Sequence, residues 1–387
     1  MSKLRILFNS NSAWSRSGYG QQTQELLPRI KNEGYSIAAS NFYGQAGGKF
    51  AIDGIMQYPV IKHTYGSDAM VMHGRDFKAD VVIGLQDIWT LHPQDLQQIT
   101  RWIPWLPIDH DPIPAHVVDK LQYAYKIIAM SRFGQQQLQQ KGYHATYIPH
   151  SVDTKIFTPM NKFQRKKDTN LPPDSFVIGM VAANKDNPSR KSFQEALDAY
   201  KVFLESHPNA LLYLHTDPDM PGGFPIKQYI KFLGLPDDKV LFPDPYEMEF
   251  NIGKSHMNLI YNTFDVLLAP SQSEGFCLPL IEAQACGVPV ITTDFTAMPE
   301  MIIPKKTGEL VAVGSKWFSQ QGSYFGRPDT NSIIEALNTI YTADRVQMGK
   351  DAREHAVTHY DTTTVFDTYW KPFLEKIENR VYGIDKQ

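Results

Sequence analysis

The sequence predicts an α/β protein with two doubly wound parallel-sheet domains that face each other across a cleft. Its 387 residues are too many for one compact domain and enough for two, each able to bury its own core. Short apolar runs alternate along the chain with longer segments of helical period, as in βα units built around parallel sheets. A polar, charged stretch bracketed by prolines, Pro159 to Pro173, predicts a solvated linker between the domains.

Six strand candidates lie in each half of the chain. In the first half they are LRILFNS, YSIAASNF, DVVIGL, WIPWLPID, KIIAMS and ATYIPHS. In the second half they are FVIGMVAA, ALLYLHT, KVLFP, DVLLAPS, PVITTD and GELVAV. We therefore expect a first domain over residues 1–168 and a second over residues 169–371. Pro372 should end or kink a helix, so that residues 372–387 pack back on the first domain.

The composition is that of an ordinary folded protein, with 42% hydrophobic and 20% charged residues. A net charge of −3 gives no general attraction for nucleic acid or anionic lipid, although a peripheral contact with a membrane stays open. The chain begins on a strand pattern and has no run of 18 apolar residues, so we expect neither a signal peptide nor a transmembrane helix. Cys277 and Cys286 would lie on opposite faces of a helix, which predicts free thiols and a cytoplasmic protein.

The stretch PSQSEGFCLPLIEAQACGVPVI, residues 270–291, places two carboxylates around a predicted helix N-terminus. Pro279 suits the start of the helix, which puts Glu274 on the preceding loop and Glu282 in the first helical turn. The backbone amides from Gly275 to Leu280 and the helix dipole then form an anion site. Since carboxylates repel an anion, we expect these two to bind neutral hydroxyls on either side of it, which is the layout of a nucleotide sugar. Either glutamate alone also suits an ordinary helix start.

A second element, GMVAANKDNPSRKSFQEAL, supplies cations after a strand of the second half. Ser192 and Glu195 have the spacing of a capping box, which starts the helix at Phe193 and leaves Arg190 and Lys191 on the loop. Two fixed cations there would neutralise a leaving diphosphate as its bond breaks. The alternative is an exposed cationic pair without a ligand.

Two further candidates lie in the first half. Gly18 and Gly20, in NSNSAWSRSGYGQQTQEL, would let a phosphate or an acceptor approach the backbone. His110 ends a predicted strand between Asp109 and Asp111, two carboxylates that would orient its ring. No group of His, Cys, Asp and Glu has the spacing of a metal site, so we expect no metal cofactor.

The segment EGFCLPLIEAQACGVPVITTD resembles the signature EGFGLPxLEAMAxGxPVI of the retaining glycosyltransferases of family four, including its Glu-x7-Glu spacing. YIPHSVDTKIFTP is similar to that family's IPNGVDxxxFxP, and LGLPDDKVLFP to its LGLxDxVxFxG. The resemblance extends from about Asn9 to Thr292. It implies the GT-B fold of two Rossmann-like lobes and a metal-independent transfer of a hexose from a UDP- or GDP-sugar.

The resemblance also implies how the donor is held. Glu282 would bind the ribose diol of the nucleotide, and Glu274 would contact hydroxyls of the transferred sugar. The amides near Phe276, Cys277 and Leu278 would hold sugar and phosphate. The family has glycine at the position of Cys277.

Three basic side chains have counterparts in the resemblance. Lys191 matches the family lysine, and Arg190 is expected to replace the family arginine, whose usual position is near Asn184. His110 matches a histidine that faces the transferred sugar, and His150 stands where the family usually has asparagine.

These features together predict a retaining glycosyltransferase that acts by same-face substitution, without an enzymic nucleophile. Its acceptor would be a hydroxyl of a saccharide, a lipid-linked glycan or another compound. Three alternatives stay open: a nucleotide-sugar epimerase, a glycosyltransferase that acts on modified DNA bases, and a non-catalytic nucleotide-sugar-binding protein. The donor base, the sugar, the acceptor and the oligomeric state are not fixed by the sequence.

Overall fold

The computed structural model describes residues 3–250 and 252–383, which form two compact units. The first unit consists of the chain up to Ile108, of Pro112–Ser151, and of the segment that begins at Thr362. The second consists of Asp109–Asp111 and Val152–Asp361. The chain therefore passes into the second unit after residue 151, whereas the sequence suggested residue 168.

All twelve predicted strands are present, and four more occur within residues 3–250 and 252–383. The strands are β1 (Arg5–Asn11), β2 (Ser36–Tyr43), β3 (Phe50–Ile52), β4 (Ile55–Tyr58), β5 (Val81–Leu85), β6 (Trp102–Leu106), β7 (Ile127–Ala129), β8 (Ala145–Tyr147), β9 (Phe176–Val181), β10 (Ala210–His215), β11 (Val240–Leu241), β12 (Val266–Ala269), β13 (Val290–Thr293), β14 (Gly308–Val311), β15 (Val313–Phe318) and β16 (Tyr324–Pro328). The unpredicted ones are β3, β4, β15 and β16, which form two short antiparallel pairs.

Helices separate most of the strands. They are α1 (Gly18–Asn32), α2 (Ser67–Phe77), α3 (Pro93–Leu96), α4 (Ala115–Val118), α5 (Arg132–Gln140), α6 (Lys162–Asp168), α7 (Phe193–Ser206), α8 (Ile226–Leu233), α9 (Pro245–Phe250), α10 (Lys254–Tyr261), α11 (Leu278–Ala285), α12 (Thr330–Thr342), α13 (Arg345–Tyr360), α14 (Thr362–Val365) and α15 (Lys371–Val381). Short 3-10 turns lie at Ile88–Thr90, Asp119–Tyr123 and Met298–Met301, and a π-helical turn at Phe366–Trp370 precedes α15. Within the described residues, none of these helices has both the length and the apolar character that a bilayer span requires.

The strands of the first unit form one eight-stranded sheet in the order β3-β4-β2-β1-β5-β6-β7-β8. Every neighbouring pair is parallel except β3 and β4 at the edge. The central strands β1 and β5 are buried along nearly their whole length. Burial of this kind is typical of a parallel sheet that is covered on both faces.

The second unit contains a fully parallel sheet in the order β11-β10-β9-β12-β13-β14. The chain adds strands on one side of β9 and then returns to its other side at β12, so the strand order reverses between these two strands. Ligands of doubly wound sheets bind at such a switch point, beyond the carboxyl ends of the strands. The predicted fold class, with two doubly wound parallel-sheet domains, is confirmed.

Successive residues of β9 enter two different hydrophobic cores. Ile178 packs in the core that contains α7 and α12, whereas Val177 packs in the core that contains α11. The strand also lies so close to the ring of Phe264 that a Cβ atom at Gly179 would be 2.2 Å from it. Because both faces are covered, the central strands β9 and β12 are continuously apolar in sequence.

The stretch predicted as a solvated linker is folded into the second unit. Residues 162–168 form α6, and the side chain of Lys166 is almost fully buried. Its Nζ donates to Asp265 Oδ2 and to the Ser175 carbonyl, both at 2.6 Å. The linker prediction was wrong because a buried lysine is tolerated when a carboxylate pairs with it.

Candidate active site

The loops that follow β9 and β12 bring three charged side chains together at the switch point. Glu274 lies on the loop after β12, and Arg190 and Lys191 lie on the loop after β9. Arg190 Nη1 is 3.1 Å from one carboxylate oxygen of Glu274, and Lys191 Nζ contacts the other. Arg190 also donates to the carbonyl of Ser273. The residues that the sequence singled out in two separate motifs therefore form one cluster.

The Glu274 carboxylate is ionised in this cluster. It is 7% exposed, and burial by itself raises its pKa, but the positive charges of Arg190 and Lys191 outweigh that effect and lower the pKa to about 2. Arg190 is held charged in the same way, since Glu274 and Asp109 raise its pKa against the effect of burial. The cluster thus offers guanidinium and ammonium donors for an anion beside a carboxylate that accepts hydrogen bonds from neutral hydroxyls.

The loop that carries the two cations differs from the predicted capping box. Helix α7 does begin at Phe193, but Ser192 has a left-handed backbone with a φ of 59° and makes no capping hydrogen bond. Glu195 instead lies 3.1 Å from Arg327 Nε on β16. The box does not form because the tight turn before the helix sets the backbone of Ser192, and with it the direction of its hydroxyl.

Helix α11 starts directly after the Glu274 loop. The amide of Leu280 already donates to the Cys277 carbonyl at 3.1 Å. The anion site predicted for the amides of Gly275 to Leu280 is therefore limited to the amides of residues 275–278. The thiol of Cys277 is buried in the core that contains α11, and burial, followed by the charge of Glu274, raises its pKa to about 12. Cys277 therefore presents its backbone to the candidate site, and its side chain is a core residue.

The second carboxylate of the motif, Glu282, lies deeper than the sequence suggested. Because α11 begins at Leu278, Glu282 falls in the second helical turn, and the expectation of the first turn was wrong. Its Oε2 accepts a hydrogen bond of 2.7 Å from the hydroxyl of Tyr261, and the residue is 5% exposed. Burial and the charge of Glu282 raise the pKa of Tyr261 well above its ordinary value, which keeps the tyrosine a donor.

His110 is enclosed by partners within the second unit. Its Nδ1 is 2.7 Å from Asp109 Oδ1, and its Nε2 is 3.0 Å from the hydroxyl of Ser319. The ring stacks on Phe325 with 4.4 Å between centroids. Burial alone would raise the pKa of Asp109, but the hydrogen bond and the charge of His110 lower it, so the carboxylate is ionised and fixes the imidazole. The sequence indicated Asp109 and Asp111 as the carboxylates that orient the ring. Asp109 does so, whereas Asp111 pairs with Lys316 at 3.1 Å, and the sequence missed Ser319 and Phe325.

The two glycines that the sequence singled out, Gly18 and Gly20, lie at the start of α1. Gly18 is the first helical residue, and the side chain of Ser17 caps the helix by accepting from the amide of Gly20 at 3.1 Å. A Cβ atom at Gly20 would be 2.3 Å from the carbonyl of Ser15. Position 20 therefore requires glycine because the backbone of the preceding loop, at Ser15, lies so close to it.

At two positions where the sequence differs from the family pattern, Asn184 and His150, the side chain has a structural role. Asn184 is 1% exposed, and its side chain bridges to the backbone of Phe224, donating to its carbonyl at 2.9 Å and accepting from its amide at 2.8 Å. His150 is 3% exposed and packs edge-on against Trp105 in the first unit, where burial lowers its pKa to about 3. Neither side chain joins the charged cluster. Over residues 3–250 and 252–383, the structure holds no group of three or more His, Cys, Asp and Glu side chains suited to a metal ion.

Comparisons with known proteins relate part of this chain to glycosyltransferases. Residues 161–319 match the family model described as Glycosyl transferases group 1. The chain is 28% identical over 172 residues to a lipopolysaccharide core biosynthesis mannosyltransferase, LpsB, of Rhizobium meliloti, a match that covers 43% of this chain and 46% of that protein. The chain spans about half the length of the curated relatives it matches first.

Two solved structures share the fold over nearly the whole chain. Sucrose-phosphate synthase from Thermosynechococcus elongatus is similar with a TM-score of 0.76 and 16% identity, covering 99% of this chain and 100% of its own. Anabaena Alr3699/HepE in complex with UDP and glucose is similar with a TM-score of 0.70 and 15% identity. This match covers 97% of this chain and 99% of the HepE chain. At these identities the likeness shows the fold, two Rossmann-like domains of the GT-B type, as the resemblance implied.

Proposed function

We propose that this protein, whose residues 161–319 form a glycosyl transferases group 1 domain, is a retaining hexosyltransferase that uses a nucleotide diphosphate sugar. The observation that carries the proposal is the cluster of Arg190, Lys191 and Glu274 at the switch point of the second sheet. Two cations meet one buried carboxylate there, beside the N-terminus of α11. Such a site suits a molecule in which a diphosphate is joined to a polyhydroxylated ring.

In this reaction the bond between the anomeric carbon and the diphosphate oxygen breaks while the acceptor oxygen bonds to the same face of that carbon. The leaving phosphate takes the proton of the acceptor hydroxyl, so no enzymic nucleophile is required. Arg190 and Lys191 stabilise the negative charge that develops on the leaving oxygen, and the amides of residues 275–278 add to this stabilisation. Because the chain supplies these charges itself, we propose that no metal ion is needed.

Glu274 and His110 position the transferred sugar in this proposal. Glu274 is ionised and accepts hydrogen bonds from sugar hydroxyls, an interaction with a charged acceptor that is stronger than one between neutral groups. His110 is fixed by Asp109 at Nδ1, and its Nε2 bonds to a sugar hydroxyl in place of the Ser319 hydroxyl when the donor binds. Glu282 binds the ribose diol of the donor nucleotide.

The donor base and the acceptor are defined only by class. The similar structure of HepE in complex with UDP and glucose favours a uridine nucleotide for the first trial, while a guanosine nucleotide fits the same site chemistry. The relative named as a lipopolysaccharide core mannosyltransferase favours a glycan acceptor, free or lipid-linked, and other hydroxyl compounds complete the first trials. We propose that the loop of Gly18 and Gly20 lets the donor phosphate or the acceptor approach its backbone, and that the enzyme acts in the cytoplasm.

The proposal is tested by incubating the purified protein with a panel of uridine and guanosine diphosphate sugars in the presence of a chelator. Mass spectrometry then follows the release of nucleotide over time. Release from one donor, and transfer of its sugar to an added acceptor with the same anomeric configuration, is the expected result. Conversion of the donor with its nucleotide intact would indicate an epimerase, transfer to modified duplex DNA would indicate a DNA-modifying enzyme, and binding without turnover would indicate a non-catalytic protein.

Replacing Glu282 with alanine should weaken the binding of the donor nucleotide through its ribose. A hydrogen bond to a charged group contributes about 1.5–3 kcal/mol, so we expect the affinity to fall roughly 10- to 100-fold. Calorimetry with a nucleoside diphosphate and its 2′-deoxy counterpart separates this role from a structural one. The wild type should prefer the ribonucleotide, and the variant should bind both alike.

Tyr261→Phe is the matched control for this prediction, because it removes the hydroxyl that donates to Glu282 and keeps the carboxylate. That variant should still prefer the ribonucleotide. A Glu282→Ala protein that discriminates between the two nucleotides as well as the wild type does would remove the ribose role.

A further inference from the structure

Among the described residues, the antiparallel hairpin of β15 and β16 in the second unit forms a two-stranded sheet of its own. The match to the family model ends at residue 319, between the two strands of this hairpin. Much of the hairpin is exposed, yet two aromatic side chains of it, Trp317 and Phe325, pack against each other with 5.2 Å between centroids. Trp317 donates a hydrogen bond to the side chain of Gln272, and Phe325 stacks on the ring of His110.

Gln272 links the hairpin to the loop that carries the two cations. Towards that loop, its backbone amide donates to the Arg190 carbonyl at 2.8 Å and its side-chain Nε2 donates to the Ser189 carbonyl at 3.0 Å. Towards the hairpin, its Oε1 accepts from Trp317 Nε1 at 2.5 Å and its backbone carbonyl accepts from the Gly326 amide at 3.0 Å. The side chain is 1% exposed, so these bonds are shielded from water.

Three further contacts tie the same hairpin to the rest of the candidate site. Ser319, at the end of β15, bonds to His110 Nε2 at 3.0 Å. Lys316 lies 3.1 Å from the carboxylate of Asp111, next to His110. Arg327 pairs with Glu195 in the first turn of α7, directly after the cation loop. A displacement of the hairpin would therefore disturb both the cation loop and the imidazole.

We propose that Gln272 is a positioning residue through which the hairpin holds Arg190 and Lys191 in register with the leaving phosphate. The inference rests on the proposed function for its catalytic consequence, and on the hydrogen bonds alone for the coupling between hairpin and loop. Charge stabilisation of a leaving group depends on geometry, and a misplacement of about 1 Å can lower a rate by as much as 100-fold. Gln272 does not itself touch the reacting atoms in this proposal.

Two conservative variants break the link at its two ends. Gln272→Glu keeps an oxygen for Trp317 but loses the donor to the Ser189 carbonyl. Trp317→Phe loses the indole N–H and keeps an aromatic ring against Phe325. We expect each to lower kcat about tenfold while the KM for the donor changes less than about threefold, because a displaced cation loop affects the transition state more than ground-state binding.

A variant that lacks both cations separates positioning from general stability. If Gln272 acts through Arg190 and Lys191, adding Gln272→Glu to the Arg190→Ala/Lys191→Ala protein should lower kcat by less than about twofold beyond that protein. Two effects that simply multiply would overturn the positioning role. Phe318→Leu, at an exposed position of the same hairpin, is the control and should leave kcat unchanged.

Hydrogen exchange tests the coupling without any activity measurement. In the wild type, the Lys191 and Ser192 amides are bonded to the Ser189 hydroxyl and carbonyl. In Trp317→Phe, peptides that cover residues 186–192 should exchange at least about tenfold faster, although residue 317 lies on the hairpin. Unchanged exchange there would overturn the inference. If the wild type consumes no nucleotide sugar, the proposed function fails, and the exchange result still decides the coupling.

Discussion

Replacing Lys191 with alanine is expected to lower kcat about 100-fold or more, by analogy with the loss of one donor that stabilises developing charge. Its ammonium contacts Glu274 Oε1 at the switch point, where the leaving diphosphate is proposed to lie. Because the charge on the leaving oxygen is largest in the transition state, kcat should fall more than the affinity for the donor. Steady-state kinetics with the donor identified by mass spectrometry measures both quantities.

Lys185→Ala is the matched control for this experiment, since Lys185 is an exposed lysine on the same loop after β9. It should retain wild-type turnover, which would show that the effect depends on position as well as on charge. Lys191→Arg keeps the charge with a different donor geometry, and an intermediate rate is expected because the two side chains are not interchangeable at a fitted site. A wild-type rate in Lys191→Ala would remove its leaving-group role.

The central parallel strands could be predicted from sequence because they are largely apolar runs that are covered on both faces. β9 illustrates this: its alternate residues enter two different cores, so the strand shows no polar side. β3 failed to stand out for the opposite reason, since its three residues are all exposed at the edge of the sheet. The β15–β16 hairpin was also missed, although aromatic residues on both sides of Gly322 in SKWFSQQGSYFG are the kind of signal that indicates a hairpin.

The charged residues of the candidate site could be predicted from the sequence, but the hydrogen bonds that hold their loops in place could not. The sequence singled out Glu274, Arg190 and Lys191 from separate motifs, and the carboxyl ends of neighbouring strands bring them into contact. It gave no indication of Gln272, because a glutamine in a loop has no charge and no spacing rule that would mark it. Its importance in the structure follows from four hydrogen bonds made to residues distant in sequence, which only the folded chain reveals.

The family to which the sequence is similar has an arginine near the position of Asn184, and the structure shows which groups this chain has instead. Asn184 is committed to the backbone of Phe224 and carries no charge, so that position contributes nothing to the electrostatics of the site. The guanidinium of Arg190 lies instead against Glu274 Oε2, on the same loop as Lys191. This placement supports the proposal that Arg190 takes over the role of the family arginine, six residues further along the loop.

Replacing Glu274 with glutamine is expected to lower the free energy of unfolding as well as the turnover. The variant leaves Arg190 and Lys191 close together without their buried counter-charge, and removing one partner of a buried ion pair typically costs about 3–5 kcal/mol. The difference between the ordinary glutamate pKa of 4.5 and the folded-state value of about 2, which has the same two cations as its cause, corresponds to about 3 kcal/mol. Urea titrations of the two proteins at pH 7 measure this difference.

The pH dependence of that difference identifies its origin. Because the folded state lowers the pKa of Glu274, the stabilisation is fully present above the unfolded pKa of 4.5 and is lost as the pH falls towards 2. The gap in unfolding free energy between wild type and Glu274→Gln should therefore be constant from about pH 7 to pH 5 and fall to roughly half or less near pH 3. Asp219→Asn provides the comparison: it removes an exposed carboxylate paired with Lys227, so its effect should stay within about 1 kcal/mol. If Glu274→Gln were as stable as the wild type at pH 7, the two cations would not depend on this carboxylate, and the cluster could not hold its charges in place before a donor binds.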